Sequence, residues 1–398
     1  MRFRQIAPIY LVLLAVAFLV GRSSAQTETL IYSFKGVPDG ANPQSGLIAD
    51  SEGNGYGTTF AGGDSACVKG GGGCGTVYKI SSSGESVIHA FTGGKTDGCF
   101  PYGPLVMDKS GNLYGTTNGC GTNNTGTVFK ISPSGVETIL HNFGVAFLSG
   151  DGSAPRGGLA IDAQGNLYGT TSAGGVIPAV GGTVFKITPT GTETVLYSFT
   201  GGADGGTPIA GPTVDPSGNI YGTTYGGGTH SEGTVFEVSA SGTETVLHSF
   251  GAPGDGLLPE AGVTFGKNGN LYGTTFGGGT GGAGTVYVVN VPTKTESILY
   301  NFDIVLNDGV EPYAGVTFDA AKTNLYGATT GGGAFGVGGT VYEVTPSGNN
   351  EVILHSFGAT GDGSLAYGNV ILNGSGVIYG TTFSGGKYGF GTIYRVIP

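Results

Sequence analysis

Residues 204–250 read DGGTPIAGPTVDPSGNIYGTTYGGGTHSEGTVFEVSASGTETVLHSF, and four short motifs follow one another within this stretch. They are Asp-Gly-x-x-Pro, Tyr-Gly-Thr-Thr, Gly-Thr-Val-Phe and Glu-Thr-Val-Leu-His-Ser-Phe, and each recurs seven times with small changes. The tyrosine of the second motif shows the period, because it recurs every 51 to 58 residues at Tyr56, Tyr114, Tyr168, Tyr221, Tyr272, Tyr326 and Tyr379. A fixed period of this length indicates a repeat architecture.

Each period predicts four short strands. Its β-branched and aromatic residues lie between Gly, Pro, Asn and Asp, and no window has the apolar spacing of a helix. Four antiparallel strands in about 53 residues are typical of a propeller blade. We therefore predict an all-β protein in which residues 26–398 form a single seven-bladed β-propeller, with an open β-solenoid as the alternative.

The two ends of the predicted domain suggest how the ring closes. Residues 27–34 resemble the fourth strand of a blade that has no earlier strands, and residues 391–396 resemble a third strand with no fourth strand after it. The N-terminal strand is predicted to complete the last blade, which would leave no exposed sheet edge.

Composition excludes several other classes of protein. The chain has 83 glycines in 398 residues and only 11% charged residues, yet it shows no Gly-X-Y period for collagen. Its 38% hydrophobic residues are too many for a disordered chain. The formal net charge of −11 and the scarcity of Lys and Arg argue against a nucleic-acid partner.

Residues 1–25 have the pattern of a secretory signal peptide. Arg2 and Arg4 precede an apolar stretch at residues 9–20, and the small residues of Ser23-Ser24-Ala25 follow it. We expect cleavage before Gln26, secretion to the periplasm or medium, and no membrane insertion afterwards; an uncleaved anchor is the alternative. Removal of this segment takes away three arginines and shifts the formal net charge from −11 to −14.

With its repeats laid out, the chain resembles the choice-of-anchor tandem-repeat family of GloVer type, a family of extracellular β-propeller-like repeats. The resemblance lies in the seven Leu-Tyr-Gly-Thr-Thr-like and Gly-Thr-Val-Phe/Tyr-like motifs and covers residues 27–397. It implies a secreted or surface-displayed bacterial repeat protein, and it implies no particular activity.

Repetition assigns most of the histidines to the blades. Four of them share one position of the fourth strand with three tyrosines: His89, His141, His248 and His355 alternate with Tyr32, Tyr197 and Tyr300. We interpret them as structural residues and not as a metal cluster. His230 alone stands outside the pattern, and one histidine makes neither a catalytic triad nor a tetrahedral metal site.

The acidic residues are also mostly set by the repeat. Each fourth strand has a glutamate, and each Asp-Gly motif has an aspartate suited to turn formation. Calcium binding at the Asp-Gly turns is the alternative, but the alternating Asp-x-Asp-x-Asp spacing is missing. We predict no metal, no cofactor and no catalytic residues. The glycine of Tyr-Gly-Thr-Thr is predicted to admit a side chain from the adjacent blade.

All four cysteines lie in the first two full repeats. Export makes disulfides favourable, and the Asp-Gly loops and glycine loops of a four-stranded meander fall on one face. We therefore predict that Cys67 pairs with Cys74 and Cys99 with Cys120, over the two other connectivities.

One variable position predicts a ligand site. The residue after the proline of Asp-Gly-x-x-Pro begins the first strand, which lies nearest the central axis of a meander propeller. We call these seven positions the ring residues: Gln44, Tyr102, Arg156, Ile209, Glu260, Tyr313 and Tyr367. Their aromatic and polar members Gln44, Tyr102, Arg156, Glu260, Tyr313 and Tyr367 would suit a sugar or a short peptide. Four aromatic residues at the start of the glycine loops, here called the platform residues, would extend the site: Phe60, Tyr225, Phe276 and Phe383. The alternative is that all of these are ordinary solvated loop residues.

Two function classes remain. The first is a monomeric, non-catalytic binding or scaffold propeller for a carbohydrate or peptide. The second is a secreted hydrolase or lyase that acts on carbohydrate, which the propeller fold permits but does not by itself imply.

Overall fold

A computed structural model describes residues 27–398 except 68, 70, 145–149, 177–180, 306 and 349–350. The predicted signal peptide at residues 1–25 lies outside the described residues. Strands, turns and loops account for the whole of the described chain, and none of it is helical. Accordingly, no described segment is a helix long and apolar enough to cross a membrane.

Seven antiparallel four-stranded blades form a seven-bladed β-propeller, as predicted, and in blade five a parallel bridge between Gly278 and Ala283 extends the sheet to six strands. Blades are numbered here from the one that contains residues 48–90. The first strands are Ile48–Ala49, Val106–Met107, Ala160–Ile161, Thr213–Val214, Thr264–Phe265, Thr317–Phe318 and Ile371–Leu372. The second strands are Gly55–Thr59, Leu113–Thr117, Leu167–Thr171, Ile220–Thr224, Leu271–Thr275, Leu325–Ala328 and Ile378–Thr382. The third strands are Thr76–Ser81, Thr127–Ile131, Thr183–Ile187, Thr234–Val238, Gly282–Asn290, Thr340–Val344 and Thr392–Ile397. The fourth strands are Gly84–Ala90, Glu137–Asn142, Glu193–Ser198, Glu244–Ser249, Thr295–Asp303, Glu351–Ser356 and, for blade seven, Thr27–Ser33.

The two ends of the propeller share blade seven. Thr27–Ser33 pairs antiparallel with Thr392–Ile397, so that Thr27 lies opposite Ile397 and Ser33 lies opposite Thr392. The predicted closure is thereby confirmed. The register between third and fourth strands shifts at one point or more in every blade, and such bulges increase the local twist of a sheet.

Short ladders connect the Asp-Gly loops to the glycine loops on one face of the propeller. Six blades form a two-residue pair, and blade four has the single bridge Gly206–Gly226 in its place. The pairs are Gly40–Ala41 with Ala61–Gly62, Gly98–Cys99 with Gly119–Cys120, Gly152–Ser153 with Ala173–Gly174, Gly256–Leu257 with Gly277–Gly278, Gly309–Val310 with Gly331–Gly332, and Gly363–Ser364 with Ser384–Gly385.

The core between blades is built from rings. The phenylalanine that ends each fourth-strand motif packs edge-on against the third-strand aromatic ring of the next blade, as Phe34 does against Tyr78 at 5.1 Å. Within the blade, Gly57 of Tyr-Gly-Thr-Thr lies opposite Tyr78, and a Cβ on Gly57 would lie 2.5 Å from the Tyr78 hydroxyl oxygen. The prediction that this glycine admits a side chain of the adjacent blade is therefore wrong, because the ring belongs to its own blade.

Buried threonines join neighbouring blades at the axis. Thr170 Oγ donates to the backbone carbonyl of Ala210 in the next blade at 2.8 Å. Blades one, two, four, five and seven make the same bond from Thr58, Thr116, Thr223, Thr274 and Thr381. Blade six has Ala328 at this position, and there Asn369 Oδ1 accepts a hydrogen bond from the Gly315 amide at 2.8 Å. Because the acceptor of each of the six threonine bonds directly follows a ring residue, these bonds hold the ring residues of the neighbouring blades in place.

Candidate functional site

A cavity of about 330 Å³ lies at the centre of the propeller and is lined by all seven ring residues. Every ring side chain is half-buried. The prediction that they begin the first strands is wrong, because each lies four residues before the first strand of a different blade. Since the seven residues come from seven blades, the site is assembled by the closure of the ring. Gln44, Tyr102, Arg156, Ile209, Glu260, Tyr313 and Tyr367 therefore surround one opening.

A glycine and a proline from adjacent blades position six of the seven ring residues, and the seventh, Tyr367, follows Ala366. Gly126, which opens Gly-Thr-Val-Phe in blade two, has φ +98°, and a Cβ there would lie 2.7 Å from Cδ of Pro155. Only glycine adopts this φ freely, and its bare Cα leaves room for the proline ring. The proline in turn fixes its own φ just before Arg156. Two motifs of the repeat thus explain why a variable residue occupies the same place in the six blades that have the proline.

The cavity wall also includes a residue that the sequence reading missed. Asn369 lines the cavity at the position where five blades have glycine: Gly46, Gly158, Gly211, Gly262 and Gly315. Its departure from a repeated glycine was the signal that could have identified it. In the structure its Oδ1 accepts a hydrogen bond from the Gly315 amide across the boundary of blades six and seven.

Arg156 is the cation of the cavity wall. Its guanidinium carbon lies 5.1 Å from the ring centroid of Tyr102, a geometry in which the positive charge is attracted by the aromatic face. Among the described residues, none of the ion pairs within 4 Å involves Arg156. The stacked guanidinium therefore retains its donors for solvent or for a bound group.

Glu260 is the acid of the cavity wall, and its Oε2 is buried without a hydrogen-bond partner among the described residues. Burial raises the pKa of Glu260 above its usual value, while the Tyr313 hydroxyl and the Arg156 charge act to lower it. Burial and the Glu260 charge also raise the pKa of Tyr313, against the lowering effect of Arg156. Arg156, Glu260 and Tyr313 thus influence one another across the cavity.

Aromatic rings form the wall on the side of blades five to seven. Tyr313 and Tyr367 meet edge-to-face, with centroids 4.8 Å apart and planes at 82°. Two platform residues extend this wall: Phe383 lies 5.4 Å from Tyr367, and Phe276 lies 6.4 Å from Tyr313. Phe60 lies 5.0 Å from Tyr102 on the other side. Within the described chain, the fourth platform residue, Tyr225, has no such ring contact with a ring residue.

A second set of polar residues lies between the blades, away from the cavity. His248 Nε2 lies 3.0 Å from Asp255 Oδ2, and Tyr197 donates its hydroxyl to Asp204 Oδ2 at 3.0 Å. The aspartate in both cases is that of the Asp-Gly motif. Histidine and tyrosine therefore interchange at the fourth strand because either side chain reaches this carboxylate, which gives the repeated histidines a structural explanation.

A fourth-strand glutamate from the next blade completes each of these groups. In all seven blades its Oε1 is buried without a hydrogen-bond partner among the described residues. Burial is the largest cause that raises the pKa of these glutamates, and the adjacent aspartate raises it further. The pKa is raised to about 7 for Glu85, Glu137, Glu193, Glu244 and Glu296, to about 8 for Glu351, and in the same direction for Glu28.

Four of the groups place His, Asp and Glu ligand atoms within 4.8 Å of one another: Glu28 with His355 and Asp362, His89 with Asp97 and Glu137, His141 with Asp151 and Glu193, and His248 with Asp255 and Glu296. This is a donor set that a divalent metal accepts. Among the described residues, however, the same glutamate oxygen also lacks a hydrogen-bond partner in the blades that have tyrosine instead of histidine. The unpaired oxygen is therefore no evidence for a metal in the histidine blades. We assign no ion to these groups.

The four cysteines form two disulfides, Cys67–Cys74 and Cys99–Cys120, with Cα atoms 5.5 and 5.4 Å apart. The pairing is the predicted one. Cys99 and Cys120 lie in the paired Asp-Gly and glycine loops of blade two, so the disulfide joins two segments that the backbone already holds together. His230 is exposed in the glycine loop of blade four, where its Nδ1 lies 3.1 Å from Thr229 Oγ1.

Known structures share this fold at low sequence identity. The extracellular domain of a hybrid two-component system from B. thetaiotaomicron matches with a TM-score of 0.59 and 10% identity, over 92% of this chain and 39% of that chain. This chain thus spans about two fifths of the length of that domain. An oligogalacturonate lyase from Vibrio parahaemolyticus matches with a TM-score of 0.57 and 10% identity, over 94% of both chains. At such identities the likeness concerns the fold alone.

The sequence comparisons give one match. The model of the Gloeobacter/Verrucomicrobia repeat matches residues 17–214, 67–265 and 210–398, three overlapping segments that together span the propeller. A search of curated proteins gives no match.

Proposed function

Since the chain belongs to the Gloeobacter/Verrucomicrobia repeat family, we propose that it is a secreted or cell-surface propeller that binds a carbohydrate or peptide without catalysis. The observation that carries this proposal is the central cavity, in which seven variable side chains stand on seven equivalent positions of a repeated scaffold. The scaffold makes the same structural demand at each position, so the variation is free to serve a ligand. Concave sites with aromatic walls and a few oriented polar groups are typical of ligand binding.

Export is part of the proposal. Two disulfides favour an oxidising compartment. Among the structural neighbours is an extracellular domain. The apolar stretch at residues 9–20, with Arg2 and Arg4 before it, supports targeting to the secretory pathway. Fractionation of cells that express the full chain tests this part, since a protein retained in the cytoplasm would contradict it.

Binding is tested by screening the purified protein on glycan and peptide arrays. We expect a ligand whose affinity falls at least about tenfold in Tyr313→Ala, because this change removes one ring of the cavity wall. Tyr388→Ala is the matched control, because Tyr388 is exposed and does not line the cavity. Absence of any binding, or equal losses in both variants, would contradict the proposal.

A second candidate function is a hydrolase or lyase that acts on carbohydrate. It is favoured by one observation, the raised pKa of Glu260 beside the Tyr313 hydroxyl in the cavity, since general acid–base catalysis uses carboxyl groups tuned in this way. One structural neighbour is an oligogalacturonate lyase. Following product formation in the array samples separates the two candidates: turnover that is lost in Glu260→Gln supports catalysis, and bound ligand that is recovered unchanged supports binding.

A further inference from the structure

We propose that the ligand of the central cavity is an acidic sugar, whose carboxylate is bound by Arg156 and whose ring packs against Tyr313 and Tyr367. This inference rests on the proposed function and narrows it to hexuronate-containing oligosaccharides. It is carried by the placement of one stacked arginine opposite an aromatic wall within the same cavity.

Arg156 has the features of a carboxylate-binding residue. It is one of only two arginines after residue 26, and among the described residues it is the only cationic side chain that lines the cavity. Stacking on Tyr102 restrains the plane of the guanidinium, so that less side-chain freedom is lost when it binds a partner. A planar guanidinium matches a carboxylate with two parallel hydrogen bonds. None of the described ion pairs supplies such a carboxylate from the protein.

The opposite wall fits the remainder of a sugar. Tyr313 and Tyr367 offer perpendicular ring faces at 4.8 Å, against which the apolar C–H face of a pyranose can pack. Glu260 and the Tyr313 hydroxyl lie on the same side and can exchange hydrogen bonds with sugar hydroxyls. The volume of about 330 Å³ is near the lower end for ligand cavities and suits one or two sugar residues.

The charges of the cavity orient such a ligand. Glu260 lines the cavity and the exposed Glu311 acts electrostatically on Tyr367, so the end of the site near Tyr367 repels a carboxylate. Arg156, at the other side of the ring, attracts it. A neutral sugar would leave the guanidinium without an anionic partner, and an amine would be repelled by it. An acidic sugar matches both walls, because its carboxylate can pair with Arg156 and its hydroxyl groups can bond to Glu260 and Tyr313.

The test is calorimetric titration of the full chain with galacturonate, glucuronate and mannuronate trimers, each alongside its methyl ester. The ester removes the charge and preserves the sugar ring. We expect one trimer to bind about 10- to 100-fold more tightly than its ester, the range for a charge-assisted hydrogen-bonding pair. Arg156→Gln should remove this preference, whereas Arg395→Gln, which changes the other arginine on an exposed strand position, should preserve it.

The results separate this inference from the proposed function. Equal binding of acid and ester, or an acid preference that survives in Arg156→Gln, overturns the acidic sugar. Binding of a neutral glycan or a peptide that is lost in Tyr313→Ala, without binding of any uronate, overturns the acidic sugar and supports the proposed function. If none of these ligands binds, both are overturned.

Discussion

The Thr170 hydroxyl donates a hydrogen bond to the backbone carbonyl of Ala210, 2.8 Å away, across the boundary of blades three and four. Ala210 directly follows the ring residue Ile209. Both atoms are buried, so the Ala210 carbonyl would lose this hydrogen bond if the Thr170 hydroxyl were removed. The bond therefore links blade-to-blade packing to the geometry of the cavity.

Thr170→Val should destabilise the protein by about 1–3 kcal/mol, because it preserves the shape of the side chain and leaves the Ala210 carbonyl without this donor. Urea unfolding measures the loss. Thr194→Val is the control, since Thr194 is exposed on a fourth strand. A loss in Thr170→Val no larger than that in Thr194→Val would show that the inter-blade bond does not stabilise the ring.

Deletion of residues 26–35 removes Thr27–Ser33 and leaves Thr392–Ile397 without its outer partner. An unpaired strand of this length exposes backbone groups that promote association between molecules. We expect the truncated protein to melt well below the intact one or to aggregate, as measured by calorimetry and light scattering. Unchanged melting and solubility would mean that closure contributes nothing to stability.

The stability of the propeller should fall as the pH rises from about 5 to about 8. Burial and the neighbouring Asp97 raise the pKa of Glu137 from 4.5 to about 7, against the lowering effect of His89. Between these values the folded state holds a proton that the unfolded state has released, so the rise in pH favours unfolding. The other fourth-strand glutamates act in the same direction. Burial lowers the pKa of His89, but Asp97 and Glu137 raise it by more, so that its pKa lies above the usual value. His89 therefore also loses its stabilising proton as the pH rises.

Glu137→Gln should weaken this pH dependence, because the amide stays neutral at every pH. At pH 8 we expect the variant to exceed the wild-type protein by about 1–3 kcal/mol in free energy of unfolding, measured with urea. Glu52→Gln, at an exposed turn position, should leave the profile unchanged. A wild-type stability that is flat or rises between pH 5 and 8 would contradict the assignment.

Loss of the Cys99–Cys120 disulfide should cost about 3 kcal/mol, since it closes a loop with a sequence separation of 21. Replacement of both cysteines by alanine and comparison of urea unfolding curves measures the cost. Cys67→Ala with Cys74→Ala, which opens a loop with a separation of 7, should cost less. The reverse order of the two losses would contradict this account.

Most of the fold could be predicted from the positions that repeat along the sequence. The seven copies of Tyr-Gly-Thr-Thr and the strands at the two ends sufficed for the number of blades and for closure, because a residue that recurs at one blade position reports the demand of the blade. The same logic placed Tyr102, Arg156 and Glu260 on one opening, since each occupies the same position of the repeat, shortly before a first strand.

The contacts that the sequence did not reveal depend on how strands face one another. Gly57 is close to Tyr78 only through the register of its own blade, and Thr170 reaches Ala210 only through the rotation between blades. The buried glutamates were equally hidden, because the repeat shows that the Glu137 position recurs but not that Asp97, in the Asp-Gly loop between blades one and two, lies beside it. The sequence period predicts the architecture, whereas these residue contacts arise from packing between elements that are distant in sequence.

The most direct test of the central claim, that the cavity is the binding site, is the affinity of Ile209→Trp for the tightest ligand found on the arrays. Ile209 lines the cavity without a polar role, so the larger ring obstructs the site while all its charged and tyrosine groups remain. We predict at least about a tenfold loss of affinity with unchanged melting, and no loss in Val136→Trp, whose site is exposed outside the cavity. Wild-type affinity in a folded Ile209→Trp variant would contradict the claim.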